Sequence, residues 1–377
     1  MPDSYTLTQN YGIDLILPEL MFDEMSDSDP LIDLLPLTYE DYDLIKWNQH
    51  ENGYGLLSLR GLGGEPGIAG VPGIREYAVA PGYYGERAIL DEVEMTKSRD
   101  AGTPNLPADP AERIAIITQY QATKSVTRIR QTIADILLTG QFTNRDQQGR
   151  VIHSDKIENY RTFTIAGGTL SVTGAQLGPG WASDPVNATP LDDLAAIQNE
   201  LHLGTSSRFG RDSKIFCQTS VINDFLATKQ VRDSYRSEYG ASFIGLEGAN
   251  KLMAGRGLPT FEVFDEGYYT DLASSVNRTL ANFTRILPVK KMIWAGTRPR
   301  GQKLGKFVFT RNQGNSPPAG YPAPPKNPLS DKYKWAEGLY IRCEYIHRMP
   351  FRFELDVGFN GGPRIDFGSA AAGISYA

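Results

Sequence analysis

The segment ADPAERIAIITQYQATKSVTRIRQTIADILLTG (108–140) constrains the chain more than any other. Asp109 stands at an N-cap, Pro110 at the first helical position and Glu112 at the third, and Gly140 follows the last periodic residue. Together these are the start and stop signals of a single helix over 110–139. Its apolar residues, Ile114, Ile117, Val126, Ile129, Ile133, Ile136 and Leu137, recur at intervals of three and four. Arg113, Lys124, Arg128 and Arg130 fall mainly off that stripe, which predicts an amphipathic, surface-lying rod. Its length is about 45 Å, well beyond the helix of an average globular domain.

What precedes the rod is extended. GYGLLSLRG (53–61), IREYAVAP (74–81) and RAILDEVEM (87–95) have strand character, and GEPGIAGVPG (64–73) lies between the first two. The glycine-every-third rhythm is too short for a collagen triple helix, and the stretch lacks the ending of a phosphate-binding loop. It predicts the tip of a long β-ribbon. Gly67 and Gly70 permit positive φ and close approach there, while Pro66 and Pro72 block further strand pairing. A ribbon of that length needs a partner surface. Upstream, Thr38 to Trp47 reads as a short helix, with Asp41 at the capping-box position.

Charge is unevenly spread. Residues 1–45 hold eleven Asp or Glu and no Lys or Arg, so a net charge of −6 leaves about +5 on the remainder. The same stretch carries Ile13, Leu15, Ile16, Leu17, Leu20, Leu31, Ile32 and Leu35, apolar residues that want a surface to cover. By charge alone the pattern fits an acidic leading arm that docks on a neighbour as well as a solvated flexible tail. A strongly basic nucleic-acid binder is disfavoured. No run has the length of a membrane-spanning helix, and the first residues lack a basic signal-peptide region, which points to a cytoplasmic chain. Cys217 and Cys343 lie in apolar strand-like runs as buried free thiols.

Beyond the rod, strand-like YRTFTIA (160–166) and TLSVTG (169–174) lead to a helix from Thr189 to about Leu203. There follow strand SKIFCQT (213–219), helix VINDFLATKQ, helix SFIGLEGANKLMAG, and strands LPTFEVFDEGYY, TRILPVKKMIWAG (284–296) and GKFVFTRN (305–312). This alternation implies a mixed α/β unit. A proline-rich connector (315–328) precedes strands GLYIRCEYIHRM (338–349) and FRFELDVGF (351–359), then PRIDFG (363–368). The chemistry-bearing residues form no recognisable constellation. His50, His153, His202 and His347 have no metal-ligand spacing, and there is no nucleophile elbow. Asp192 and Asp193 match a helix N-terminus, and Glu92 and Glu94 share a strand face. No catalytic residue, metal or cofactor is expected.

The order of parts resembles the major capsid proteins of tailed bacteriophages, and within them the lambda-type capsid protein E family. The residues that carry the resemblance are EYAVAPGYY and NLPADPAERIAIITQYQATKSVTRIRQTIADILLTGQF (76–142), with GLPTFEVFDEGYY and ILPVKKMIWAGT in the second half. The resemblance implies an α+β chain with the HK97-like shell fold. Residues 1–51 would be an N-arm and 52–95 an extended β-ribbon, the E-loop. Residues 96–185 would form a peripheral domain with spine helix 110–139, and 186–335 a mixed α/β axial domain. Residues 336–377 would return to the peripheral domain, and no long N-terminal scaffolding segment is visible.

The implied function is a structural protein that self-assembles, as hexamers and pentamers, into the icosahedral shell around a double-stranded DNA genome. It would reside in the virion capsid after assembly in the host cytoplasm, without a membrane. Scaffolding, portal and decoration proteins are further partners of such shells, and packaged DNA would be held without sequence-specific binding. The expected inter-subunit contacts are Asp23, Glu24, Asp27 and Asp29 of the acidic arm, lying against basic residues such as Arg128 and Arg130 of another copy. From the E-loop come Leu57, Leu59, Gly67, Gly70 and Ile74. Two alternatives are an encapsulin-like nanocompartment shell and, from another class, a cytoplasmic α/β enzyme.

Overall fold

The computed structural model describes residues 29–40, 43–50, 74–91, 111–145, 150–157, 159–203, 207–240, 245–269, 283–298, 302–310, 339–346 and 352–377. Two five-stranded sheets carry the α+β architecture, and the long helix α2 (Ala111–Thr139) packs against both. Ahead of it come a short helix α1 (Pro30–Leu34) and strands β1 (Leu37–Tyr39), β2 (Ile45–His50), β3 (Ile74–Val79) and β4 (Gly82–Asp91).

The helix ends where the sequence says it should. Gly140 is left-handed (φ 67°), and its N–H donates to the Ile136 carbonyl at 2.8 Å, closing the last turn. Its start differs only in that Asp109 and Pro110 lie outside the described residues. Its setting is a correction. The helix is not surface-lying: from Gln121 to Leu138 almost every side chain is buried or half-buried, with Arg128 and Asp135 the exceptions. Polar residues tolerate this because their hydroxyls are satisfied one turn back. Ser125 donates to the Gln121 carbonyl (3.1 Å) and Thr132 to the Arg128 carbonyl (2.9 Å). Of the expected stripe, Val126, Ile129, Ile133, Ile136 and Leu137 reach the core, and Ile117 is half-buried.

The first sheet is built on one long strand, β15 (Arg352–Ile365), which joins the separately expected strands 351–359 and 363–368. On one side it pairs with β4, Arg352 opposite Asp91 through Gly361 opposite Gly82. On the other it pairs first with β14 (Leu339–Ile346) and then with β13 (Gly305–Phe309). β1 adds to β13 in parallel, Leu37 opposite Phe307. Here the expected helix Thr38–Trp47 is overturned, because the segment forms β1 and part of β2. Sheet hydrogen bonds outweigh its weak helical signal: Phe307 N–H donates to the Pro36 carbonyl (3.0 Å) and Glu40 N–H to the Phe309 carbonyl (2.9 Å). β2 and β3 then pair antiparallel, Ile45 opposite Val79 and His50 opposite Ile74.

β5 (Gln141–Arg145) and β6 (Val151–Lys156) form a hairpin after the helix, and β7 (Arg161–Ile165) enters the second sheet. Its order is β7, β16 (Ala371–Tyr376), β12 (Lys291–Ala295), β8 (Lys214–Cys217), β9 (Thr260–Val263). Both faces are covered, which explains the unbroken apolar runs. Met292 and Trp294 of β12 enter a core with α3 (Pro190–His202), α4 (Thr219–Ala227), α5 (Lys229–Tyr239) and α6 (Leu246–Gly255). Ile293 and Ala295, on the other face, enter the core around α2. The strand expected over 284–296 is broken at Pro288 into β11 (Phe283–Arg285) and β12. β11 pairs with β10 (Gly267–Tyr269). Residues 169–174, expected as a strand, are a turn, touching Gln176 through one bridge at Thr169.

Candidate assembly interface

The acidic leading segment meets the spine helix at one guanidinium. Asp29 caps α1: its Oδ1 accepts from Leu31 N–H (2.8 Å) and Ile32 N–H (3.1 Å). Its other oxygen pairs with Arg130 Nε. The Asp29 side chain is fully buried and that of Arg130 is 13% exposed, so this is an interior ion pair. Arg130 also holds Glu266 at 2.6 Å, and Gln131 donates to the Tyr268 hydroxyl at 2.9 Å. One turn of helix thus fixes both the entry of the N-terminal segment and the β10–β11 hairpin. Leu31, Ile32 and Leu35 insert into the core beside it, and Lys303 pairs with Asp33 at 2.5 Å. Residues 29–40 are therefore part of their own chain's body.

The solvent side of the helix carries the exposed Ile116, Tyr120, Arg128 and Asp135, with the half-buried Lys124 between them. β4 lies along its middle. Lys124 pairs with Glu86 (2.5 Å) and stands over the Tyr120 ring, and the Arg128 guanidinium lies 4.8 Å from the Tyr84 ring centre. Arg128 also donates to Gln131 Oε1 (3.1 Å) and keeps its solvent exposure. On the opposite face of the sheet, Arg87 makes a two-pronged contact with Asp356 (2.6 and 3.0 Å) and reaches Glu354 (2.9 Å). Tyr83, 73% exposed, and Ile89 stand on that same face.

Of the residues expected at contacts, Asp29 and Arg130 are brought together within one chain. Arg128 is presented to solvent over Tyr84. Ile74 begins β3, opposite His50. Asp23, Glu24, Asp27, Leu57, Leu59, Gly67 and Gly70 lie outside the described residues, as do the strand expected at 53–61 and the proline-rich connector.

The loop-fastening role of two buried carboxylates, Glu200 and Asp193, escaped the sequence reading. Both are on α3, two turns apart on one face, and both fasten the 166–185 loop. Glu200, 1% exposed, accepts from Val172 N–H (2.8 Å), Thr173 N–H (2.7 Å) and Ser171 Oγ (3.2 Å). Burial raises its pKa, but the hydrogen bonds from Thr173, Val172 and Ser171 together outweigh that and hold it below its ordinary value. Asp193 accepts from Gly178 N–H (2.6 Å) and Trp181 Nε1 (3.1 Å), yet burial dominates and raises it. It sits in the first turn of α3, as the dipole argument has it, but its main partners belong to the loop. The available signal was an acidic pair spaced i, i+7 on an otherwise apolar helix stripe. Cys217 is a buried free thiol whose pKa burial, aided by Asp265, pushes up to about 12. Among the described residues no group of three or more His, Cys, Asp or Glu could hold a metal ion, and no helix is long and apolar enough to cross a membrane.

A protein described as a candidate prophage capsid protein, from E. coli CFT073, has a crystal structure that matches this one with a TM-score of 0.52 at 12% identity. The match covers 96% of this chain and 99% of that chain. The fold is HK97-like. The capsid of Myoviridae phage XM1 matches with a TM-score of 0.45 at 11% identity, over 92% of this chain and 91% of that one. The holo-SrpI encapsulin complex from Synechococcus elongatus PCC 7942 matches with 0.40 at 11% identity, over 92% and 87%. Those two scores add no argument to the first. No protein-family model matches the sequence, and no curated protein does. Along the chain, the β2–β3 pair precedes the long helix α2, and β8–β9, β12, β13–β15 and β16 follow it.

Proposed function

We propose that this chain is the major capsid protein of a tailed phage, which self-assembles into the icosahedral shell that encloses double-stranded DNA. The observation that carries the reading is the HK97-like fold, matched over nearly the whole length of both chains to a protein described as a prophage capsid protein. The protein's place is then the virion capsid, and its principal partner is itself, in hexamers and pentamers. Many copies must meet through heterologous contacts that close into a point group. Extended parts suit that task, because each subunit can clasp several neighbours and modest contacts add through effective concentration.

In this reading 52–95 is the E-loop, resting on an adjacent copy through Leu57, Leu59 and Ile74 and turning at Gly67 and Gly70. The spine helix and the sheet on β15 form the peripheral domain, and the layers around the second sheet form the axial domain. Asp23, Glu24 and Asp27 lie against a neighbour. Arg128 is the cation assigned to receive them, because Arg130 already shares its charge with Asp29 and Glu266 of its own chain. Scaffolding, portal and decoration proteins, and DNA held without sequence preference, complete the proposed partners.

Electron microscopy of the purified protein tests the reading. Closed shells or rings of capsomers are expected. A compact monomer under every assembly condition would overturn it.

A further inference from the structure

We propose that Asn250 shuts the free edge of the second sheet, and so keeps the β9 strand of a second copy of this chain from adding to β9 there. Among the described residues β9 lies at the end of the strand order, with β8 on one side only. Thr260 N–H donates to the Ser213 carbonyl (3.3 Å) and Phe264 N–H to the Cys217 carbonyl (2.8 Å). Alternate residues of the strand thus bond inward to β8, and Phe261 and Val263 turn their backbone groups outward.

Both outward groups of Phe261 are taken by one side chain. Phe261 N–H donates to Asn250 Oδ1 (2.7 Å), and Asn250 Nδ2 donates to the Phe261 carbonyl (3.1 Å). A residue of an antiparallel partner strand would exchange the same two bonds through its backbone. Asn250 is carried by α6, whose Ala249, Leu252 and Met253 share a core with Phe261, so the amide is held at the edge. Edge strands are commonly kept from pairing by free charge, by proline or by cover. Here the first two are spent. LPTFEVF (258–264) is rich in strand-forming residues, and Pro259 stands before the strand rather than in it. Its single charge, Glu262, is matched by Lys214 of β8 at 2.5 Å, and Val263 is exposed. Every copy carries this edge, and the edge is self-complementary. Two β9 strands run antiparallel with Phe261 opposite Phe261 would give each residue the two bonds that Asn250 now supplies.

Sedimentation velocity on unassembled full-length subunits over a concentration series tests this, with hydrogen exchange of the β12 and β16 amides as the fold control. Asn250→Ala leaves the outward groups of Phe261 open to a partner strand. Its self-association should exceed that of the wild type roughly tenfold, the factor that one net hydrogen bond is worth, and the Phe261 and Val263 amides should gain protection as concentration rises. Adding Val263→Pro removes an outward N–H that β8 does not use and should return association to the wild-type level. An asparagine that only fastens α6 to the sheet predicts a less stable Asn250→Ala subunit with association unchanged, and that result would overturn the proposal. Association that survives Val263→Pro would overturn it too, since the contact would then run through another surface. Should Asn250→Ala disturb the control strands, Asn250→Ser, too short to reach both groups of Phe261, decides by the same readouts. None of this depends on shell formation.

Discussion

Removing the Arg130 side chain would leave the Asp29 carboxylate buried with no counter-charge, beside a helix end that still needs its cap. Breaking a buried pair from one side costs about 3–5 kcal/mol, so Arg130→Ala is expected to lower subunit stability by that order in urea unfolding. Asp29→Ala should cost as much or more, because the cap on Leu31 and Ile32 goes with it, and a double-mutant cycle should show strong coupling. Glu200 gives a pH test. Its folded pKa lies below the ordinary 4.5, so its contribution is full above the unfolded value and is lost as pH falls through the lower folded one. Protection of the 171–174 amides, measured relative to the intrinsic exchange rate at each pH, should therefore fall on acidification below about pH 4.5. In Glu200→Gln the turn should already be loosened at neutral pH and show little further acid response. Asp193, raised by burial, works with the opposite sign: its charged form is the disfavoured one in the folded state, so its contribution weakens as pH rises through the raised value.

At the scale of elements, the long helix was legible because its signals are local: periodicity, a proline–acid start and a glycine stop. Gly140→Ala is expected to destabilise by more than about 1 kcal/mol, since φ is positive and an added Cβ would collide with the Tyr160 ring. Chemical denaturation measures it. What could not be read locally was the burial of the same helix, because that depends on β12, β15 and β16, strands more than a hundred and fifty residues downstream. The misread segment 38–47 fails for the same reason: a three-residue strand exists only because Phe307–Phe309 offers it an edge. The strand character of 74–81 was legible, and its partner among the described residues is Ile45–His50, whereas the strand expected at 53–61 lies outside the described residues. Asp29 and Arg130 were legible only as opposite charges, so their pairing within one chain was beyond reach.

For the whole molecule, the boundary between body and arm becomes measurable. Leu35→Ala cuts into the core and should cost about 2–5 kcal/mol of subunit stability. Reversing Asp23, Glu24 and Asp27 to lysine should leave subunit unfolding unchanged. It should weaken shell assembly, more so at low salt, where like charges are least screened. Particle yield across a salt series, read beside subunit unfolding curves, separates the two effects. Equal yields from variant and wild type would remove the acidic arm from the proposed contacts.

β16 lies between β7 and β12, with Leu138 of the spine helix pressed so closely on Gly373 that an added Cβ would strike its carbonyl. During synthesis β7, β8 and β12 leave the ribosome long before the strand that joins two of them. A nascent chain halted at residue 370 would hold an open seam through its second sheet, and its spine helix would lack one of its two floors. A subunit without β16 therefore has an unfinished second sheet and an incomplete seat for its long helix, so the body of the fold is completed only once this strand is made.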